Sequence, residues 1–145
     1  MKKRKSLFVI VMCVVMLFST TAAFAADLSV SVNGLDDSRS ITSGSVSFAR
    51  SSALRGKMVL TASSAETDVS YIKATVTVER KYSSGWDQYY APYEVYGDAH
   101  TGSLLITEYI DVNASGTYRL KVVFEDKKGS VTSTTGAKYS QSVSL

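Results

Sequence analysis

Apolar and polar residues alternate in short runs along this chain. In Tyr71–Tyr82, Ile72, Ala74, Val76 and Val78 alternate with Lys73, Thr75, Thr77 and Glu79. A period of two places the two sets on opposite faces of a strand, one dry and one wet, as in antiparallel sheet. Asn113–Phe124 carries the same signal: an Asn-Ala-Ser-Gly turn leads into Tyr118, Leu120, Val122 and Phe124, alternating with Arg119 and Lys121. Met58, Leu60 and Ala62 share one face of Leu54–Ala62, a central strand. Leu28, Val30 and Val32 alternate with serines and close at Asn33-Gly34, a first strand ending in a turn. Asp36–Gly44 reads as a polar loop, followed by a short edge segment at Val46 and Phe48. Leu104 and Ile106 begin a further strand that continues unevenly to Ile110 and Val112.

Turn chemistry separates these runs. Ser63–Asp68 is a polar loop, and Ser83-Ser84-Gly85 is a tight turn from which Trp86 opens the return strand of a hairpin. Asp87–His100 holds the lone Pro92, which cannot donate to a ladder, so an edge segment or loop is expected there. Asp126-Lys127-Lys128-Gly129 reads as a hairpin turn with Gly where φ is positive. Ser130–Leu145 is Ser/Thr-rich, with Tyr139, Val143 and Leu145 able to face a core. About seven short strands at this spacing predict an all-β fold, an antiparallel two-sheet sandwich.

The N-terminus changes the picture of charge and compartment. Lys2, Lys3, Arg4 and Lys5 precede an unbroken apolar run from Leu7 to Phe18, and Ala23-Phe24-Ala25 offers small residues for a peptidase. Residues 1–25 therefore read as a secretory signal peptide cut between Ala25 and Ala26, leaving residues 26–145 as a single secreted domain with no stable membrane anchor. The apolar run is well short of the roughly 20 residues a bilayer span needs. Of 16 Lys+Arg against 13 Asp+Glu, the four basic residues of the signal are removed, so the mature chain is close to neutral. Bulk charge then gives no support for binding nucleic acid. Cys13, the single cysteine, lies within the signal, so no disulfide is expected in the exported domain.

Two motifs carry a resemblance. Leu104-Leu105-Ile106 followed by Ser115-Gly116-Thr117-Tyr118-Arg119-Leu120 resembles the passage between strands E and F of immunoglobulin-like domains, where a tyrosine corner stands. Gly56–Ala62 resembles their strand B. Ala62 and Leu120 occupy the places of the two antibody cysteines, Ala114 stands where the corner usually has Asp, and Trp86 lies after the turn that ends the C-like strand. The chain thus resembles disulfide-free immunoglobulin- or fibronectin-like sandwiches. With its Gly85-Trp86 hairpin and its Gly-Ser/Thr-rich closing strand, it is similar to small secreted proteins of unknown function from Gram-positive bacteria. That resemblance implies a fold, with Tyr118 at the corner and Leu120, Val122 and Phe124 in the core, and no activity.

Candidate chemistry is sparse. His100 is the only histidine; Asp98 is near, but no Gly-x-Ser-x-Gly elbow marks a nucleophile, so no catalytic residue is assigned and no enzyme is expected. One histidine cannot build a transition-metal site. Asp36, Asp37, Glu66, Asp68, Asp98 and Asp111 lie in or near loops that could converge on calcium; without EF-hand spacing they read as turn residues, and no metal or cofactor is assigned.

The distinctive feature is aromatic. Tyr82, Trp86, Tyr89, Tyr90, Tyr93 and Tyr96 crowd one short stretch. Rings of this kind stack on sugars and anchor protein interfaces, and they also cover cores. Trp86, Tyr89, Tyr90, Tyr93 and Tyr96 are therefore the candidate ligand-binding residues of a non-enzymatic binding protein. Its partner would be an extracellular polymer, a cell-wall component or a protein. The alternative is a secreted effector, either an antimicrobial protein or an inhibitor of an extracellular enzyme.

Overall fold

Strand-forming runs with one apolar face must bury that face, and here two sheets bury theirs against each other. The computed structural model describes residues 40–145; the expected signal peptide and the strand expected over Leu28–Val32 lie outside them. The order is β1 (Ile41–Ser52), β2 (Arg55–Ser64), β3 (Tyr71–Tyr82), β4 (Gly85–Gln88), β5 (Tyr93–Tyr96), β6 (Ser103–Asp111), β7 (Thr117–Lys128), β8 (Val131–Thr134), β9 (Lys138–Tyr139) and β10 (Val143–Ser144). The smaller sheet runs β1-β2-β6. The larger has β3 and β7 at its centre, β4 and β5 along one edge, and β8, β9 and β10 along the other. All pairings are antiparallel.

The edges of the larger sheet are broken strands. β4 and β5 both pair with β3, and the Tyr89–Pro92 segment interrupts them. Proline supplies no donor there, so the break coincides with the residue that cannot continue the ladder. β8, β9 and β10 likewise all pair with β7, with breaks at Thr135–Ala137 and Ser140–Ser142. Interrupted edges of this kind resist pairing with other chains.

The inward faces of both sheets form one core. Phe48, Met58, Leu60 and Leu104 come from the smaller sheet; Ile72, Val76, Leu120, Val122 and Phe124 come from the larger. Each fully buried apolar side chain contributes roughly 1.5–3 kcal/mol relative to exposure. β3 spans Tyr71–Tyr82 as its alternation requires, and β2 is central in its sheet. Tyr118 is fully buried and donates its hydroxyl to the carbonyl of Ala114, 2.5 Å away, closing a corner around the Ser115-Gly116 turn. Gly116 and Leu145 exchange backbone hydrogen bonds there and tie the C-terminus to the same corner.

Three expectations fail. The Asp36–Gly44 loop and the short segment at Val46 and Phe48 do not hold for the described residues, because β1 begins at Ile41 and runs to Ser52. Its alternation is hidden because small serines face outward and a register shift between Ile41 and Ser43 breaks the period. The hairpin turn expected over Asp126–Gly129 fails in its bounds, while its glycine does take a positive φ. β7 continues through Lys128, and Gly129 (φ 60°) with Ser130 makes the two-residue turn. Tyr139 does not face the core: it pairs with Lys121 on the outward side and is 43% exposed, whereas Leu145 is buried.

The extension of β7 has a consequence. Asp126 continues the inward series of Tyr118, Leu120, Val122 and Phe124 and is 1% exposed. Ser40 Oγ donates to its carboxylate at 2.5 and 2.7 Å, and Ser64 Oγ donates at 2.5 Å. Ser64 ends β2 and Asp126 belongs to β7, so this polar cluster latches the two sheets together at the end of the core.

Candidate functional site

The outward face of the larger sheet is set by register. Glu79 lies opposite Arg119, Thr77 opposite Lys121, Lys81 opposite Trp86, and Lys121 opposite Tyr139. Partners in a ladder share a face, so Trp86, Glu79, Arg119, Lys121 and Tyr139 all stand on the solvent side. Arg119 is the centre of this group. Its Nε donates to Glu79 Oε2 at 2.7 Å. Its guanidinium carbon lies 4.3 Å from the Trp86 ring centroid and 4.4 Å from that of Tyr139. β4 and β9 lie on opposite sides of β7, so the two rings reach the guanidinium from opposite sides. Contact of this kind is cation–π attraction, strengthened where water is partly excluded. The Arg119 and Glu79 side chains retain 24% and 12% of their exposure.

A second aromatic pair stands farther along the same face. Tyr96 lies opposite Lys73 at the edge, and Tyr71 lies at the start of β3. The two rings meet edge to face with centroids 6.5 Å apart. Lys73 Nζ is 2.6 Å from Glu94 and 3.5 Å from Glu125. The hydrogen bond to Glu94 raises the Lys73 pKa, and the same bond, with one from Tyr96, lowers that of Glu94. Tyr71 and Tyr96 donate to Glu125 and Glu94 respectively, and these bonds raise both phenol pKa values. Thr75, Thr77 and Val123 lie between the two aromatic pairs.

The five candidate aromatics therefore separate. Trp86 and Tyr96 occupy the outward face, one in each pair. Tyr89 and Tyr93 turn inward and pack against the core. Tyr89 meets the Tyr118 ring at 5.1 Å and hydrogen-bonds Asn113, so it belongs to the corner. Tyr90 stacks edge-on against Tyr89 at 4.6 Å and donates to the Asp111 carbonyl at 3.0 Å. Sequence adjacency grouped these rings, but alternation and the break at Pro92 distribute them. Arg119 and Tyr139 were missed as site residues. The Arg119 signal was present as an outward position beside a strong core strand, whereas Tyr139 lies on a two-residue strand with no periodicity to read.

Tyr93 carries a testable titration. Burial pushes its phenol up to about 12, from an ordinary value of 10. Below pH 10 the group is protonated in folded and unfolded chains alike. Between pH 10 and about 12 the unfolded chain releases the proton while the folded one keeps it, so stability falls as pH rises through that window. Tyr93→Phe should leave the thermal midpoint at neutral pH little changed and flatten its alkaline decline, measured by circular dichroism melts across that range.

Asp36 and Asp37 lie outside the described residues, and the remaining candidate groups within them are engaged elsewhere. His100 is exposed and its Nδ1 contacts the Asp68 carboxylate. Asp98 accepts the backbone N–H groups of His100 (2.8 Å) and Thr101 (3.4 Å), which lower its pKa. Asp98 thus caps a turn and does not orient the imidazole. Asp111 pairs with Arg55 at 2.6 Å, a bond that lowers the Asp111 pKa, and Glu66 pairs with Lys128 at 2.6 Å. Among the described residues no three His, Cys, Asp or Glu side chains gather around a common metal position.

Fold and face together define a two-sheet antiparallel sandwich whose larger sheet presents an aromatic and ionic surface. Compared with protein-family models, curated proteins and solved structures, the chain matches none.

Proposed function

We propose that this protein is a secreted, immunoglobulin-like, non-enzymatic domain that binds an extracellular or cell-wall polymer on the outward face of its larger sheet. The carrying observation is the Arg119 guanidinium held between Trp86 and Tyr139 on the outward face of the larger sheet. Aromatic rings fixed in this way offer large contact area at little further entropy cost on binding. The immunoglobulin-like assignment is supported by the strand order β1-β2-β6 against β7-β3 and by the Tyr118 corner. Secretion is supported by the basic, apolar and small-residue series of residues 2–25.

The test is co-sedimentation of residues 26–145 with cell-wall material and insoluble polysaccharides. Trp86→Ala should weaken retention by about tenfold, the order expected for removing an aromatic anchor, and Tyr96→Ala should weaken it less. Tyr93→Phe, on the inward side, should retain wild-type binding. Equal retention of folded Trp86→Ala and wild type on every retained polymer would exclude this face.

A further inference from the structure

We infer that the edge of β6 facing away from β2 is a docking slot for Leu28–Val32 of the same chain, which adds to the three strands of the smaller sheet as an antiparallel neighbour of β6. The inference concerns the sheet opposite the proposed binding face and does not depend on that reading.

In an antiparallel pair the N–H and C=O of one residue point to the same side, and successive residues alternate. Ser103 exchanges both bonds with Asp98, away from β2, whereas the N–H of Val112 turns to the Leu54 carbonyl on the β2 side. The register with β2 is unbroken from Ser103 to Asp111. Leu105, Thr107 and Tyr109 therefore aim their N–H and C=O groups away from β2, and among the described residues none of these groups has a partner. Leu105 and Tyr109, 74% and 56% exposed, flank the row on the outward face. Unlike the edges of the larger sheet, this one has no break, no proline and no register shift, so nothing in it resists a further strand.

The slot is short. Asp98 occupies the edge beside Ser103, and Tyr90 caps the Asp111 carbonyl at 3.0 Å, so only the Leu105–Tyr109 stretch is open. A second copy offering its own 9-residue β6 would run past that limit and set its backbone against Asp98. Leu28–Val32 has the length of the gap, and its Leu28, Val30 and Val32 alternate with Ser29 and Ser31 as one dry and one wet face require. Outward serines already mark this sheet at Ser43, Ser45 and Ser47 of β1. With Ser29 and Ser31 outward, Val30 lies inward beside Ile106, which is only partly buried against the core. Where the described chain begins sets the direction. Ser40 gives its carbonyl to Ala65, next to the bond from Ser64 to Gly102, so the chain enters at the end where β6 starts. A segment running from Leu28 toward Ser40 is then antiparallel to β6. Three strand spacings, about 14 Å, separate β1 from a strand beyond β6, and the seven residues Asn33–Arg39 span up to about 23 Å. The edge of β1 is less open: a Cβ added at Gly44 would lie 3.0 Å from the Phe124 ring and 3.5 Å from Lys138 Cε, so the two sheets close on each other there.

The experiment follows amide hydrogen exchange, residue by residue, in residues 26–145. Leu105, Thr107 and Tyr109 should be protected although no described strand pairs with them. Val30→Asp places a charge on the dry face of the arm. It should lower protection at those three amides at least about tenfold and leave Leu104, Ile106 and Ile110, which face β2, as they were. A cysteine pair gives an independent reading, because the only natural cysteine, Cys13, precedes residue 26. Val30→Cys with Ile106→Cys should close a disulfide within one molecule under mild oxidation, whereas Val30→Cys with Ser43→Cys, on β1, should not. Unprotected amides at Leu105, Thr107 and Tyr109, or protection that Val30→Asp leaves unchanged, would overturn the inference. So would a cross-link to Ser43→Cys in preference to Ile106→Cys, which would place the segment on β1. A disulfide formed only between molecules would overturn the same-chain occupant.

Discussion

Tyr118→Ala is expected to destabilise the domain by about 3–5 kcal/mol, the range for truncating a large buried aromatic side chain. The ring is fully buried, meets Tyr89 edge-on at 5.1 Å, and lies beneath the Arg80 guanidinium, 5.7 Å from its centroid. Arg80 also donates to the Ser115 carbonyl at 2.7 Å, so removing the ring loosens the turn that Arg80 holds. Tyr118→Phe isolates the hydroxyl. It leaves the ring in place and removes the donor to Ala114, at an expected cost of about 1–3 kcal/mol. Urea unfolding followed by tryptophan fluorescence measures both, because Trp86 is the only tryptophan. A Phe variant as stable as wild type would show that packing alone maintains the corner.

Asp126→Ala is the second large effect. It removes the acceptor of two serine hydroxyls at the end of the core, leaving Ser40 and Ser64 as donors without their carboxylate. At about 1–3 kcal/mol for each of the two donors left unsatisfied, the loss should be about 2–6 kcal/mol. Asp126→Asn keeps the shape and one acceptor oxygen, so it should cost less than Ala. Amide hydrogen exchange gives the location. Protection should fall first where Ser40 and Ser64 join β7, before the Tyr118 corner at the other end of the strand opens. Loss of protection spread evenly over both ends would argue against a local latch.

These two residues also show how the sequence could and could not be read. Tyr118 stood out because it begins a run of inward apolar residues directly after a Ser-Gly turn, and its role follows from its own strand. Asp126 belongs to the same inward series, yet Asp-Lys-Lys-Gly has turn composition, and local chemistry outweighed the alternation. β1 was hidden for a related reason: its outward serines are small and polar, and a register shift disturbs its period. The aromatic cluster was legible as composition, but its division was not. Tyr89 and Tyr93 face inward while Trp86 and Tyr96 face outward, because four residues, Tyr89–Pro92, occupy the interval between the β4 and β5 pairings with β3.

The sequence by itself determined the all-β class, the bounds of β3, the central place of β2, the inward faces of β2, β3 and β7, and the Tyr118 turn. Those features depend on a period of two and on turn residues, which act within a few positions of each other. Only the tertiary structure decided that Tyr139, from the closing strand, joins Trp86 around Arg119, that Asp126 meets Ser40 and Ser64, and that His100 turns toward Asp68. Each of those depends on which strands become neighbours and in what register. Pairing between distant segments sets that register, and no local alternation encodes it.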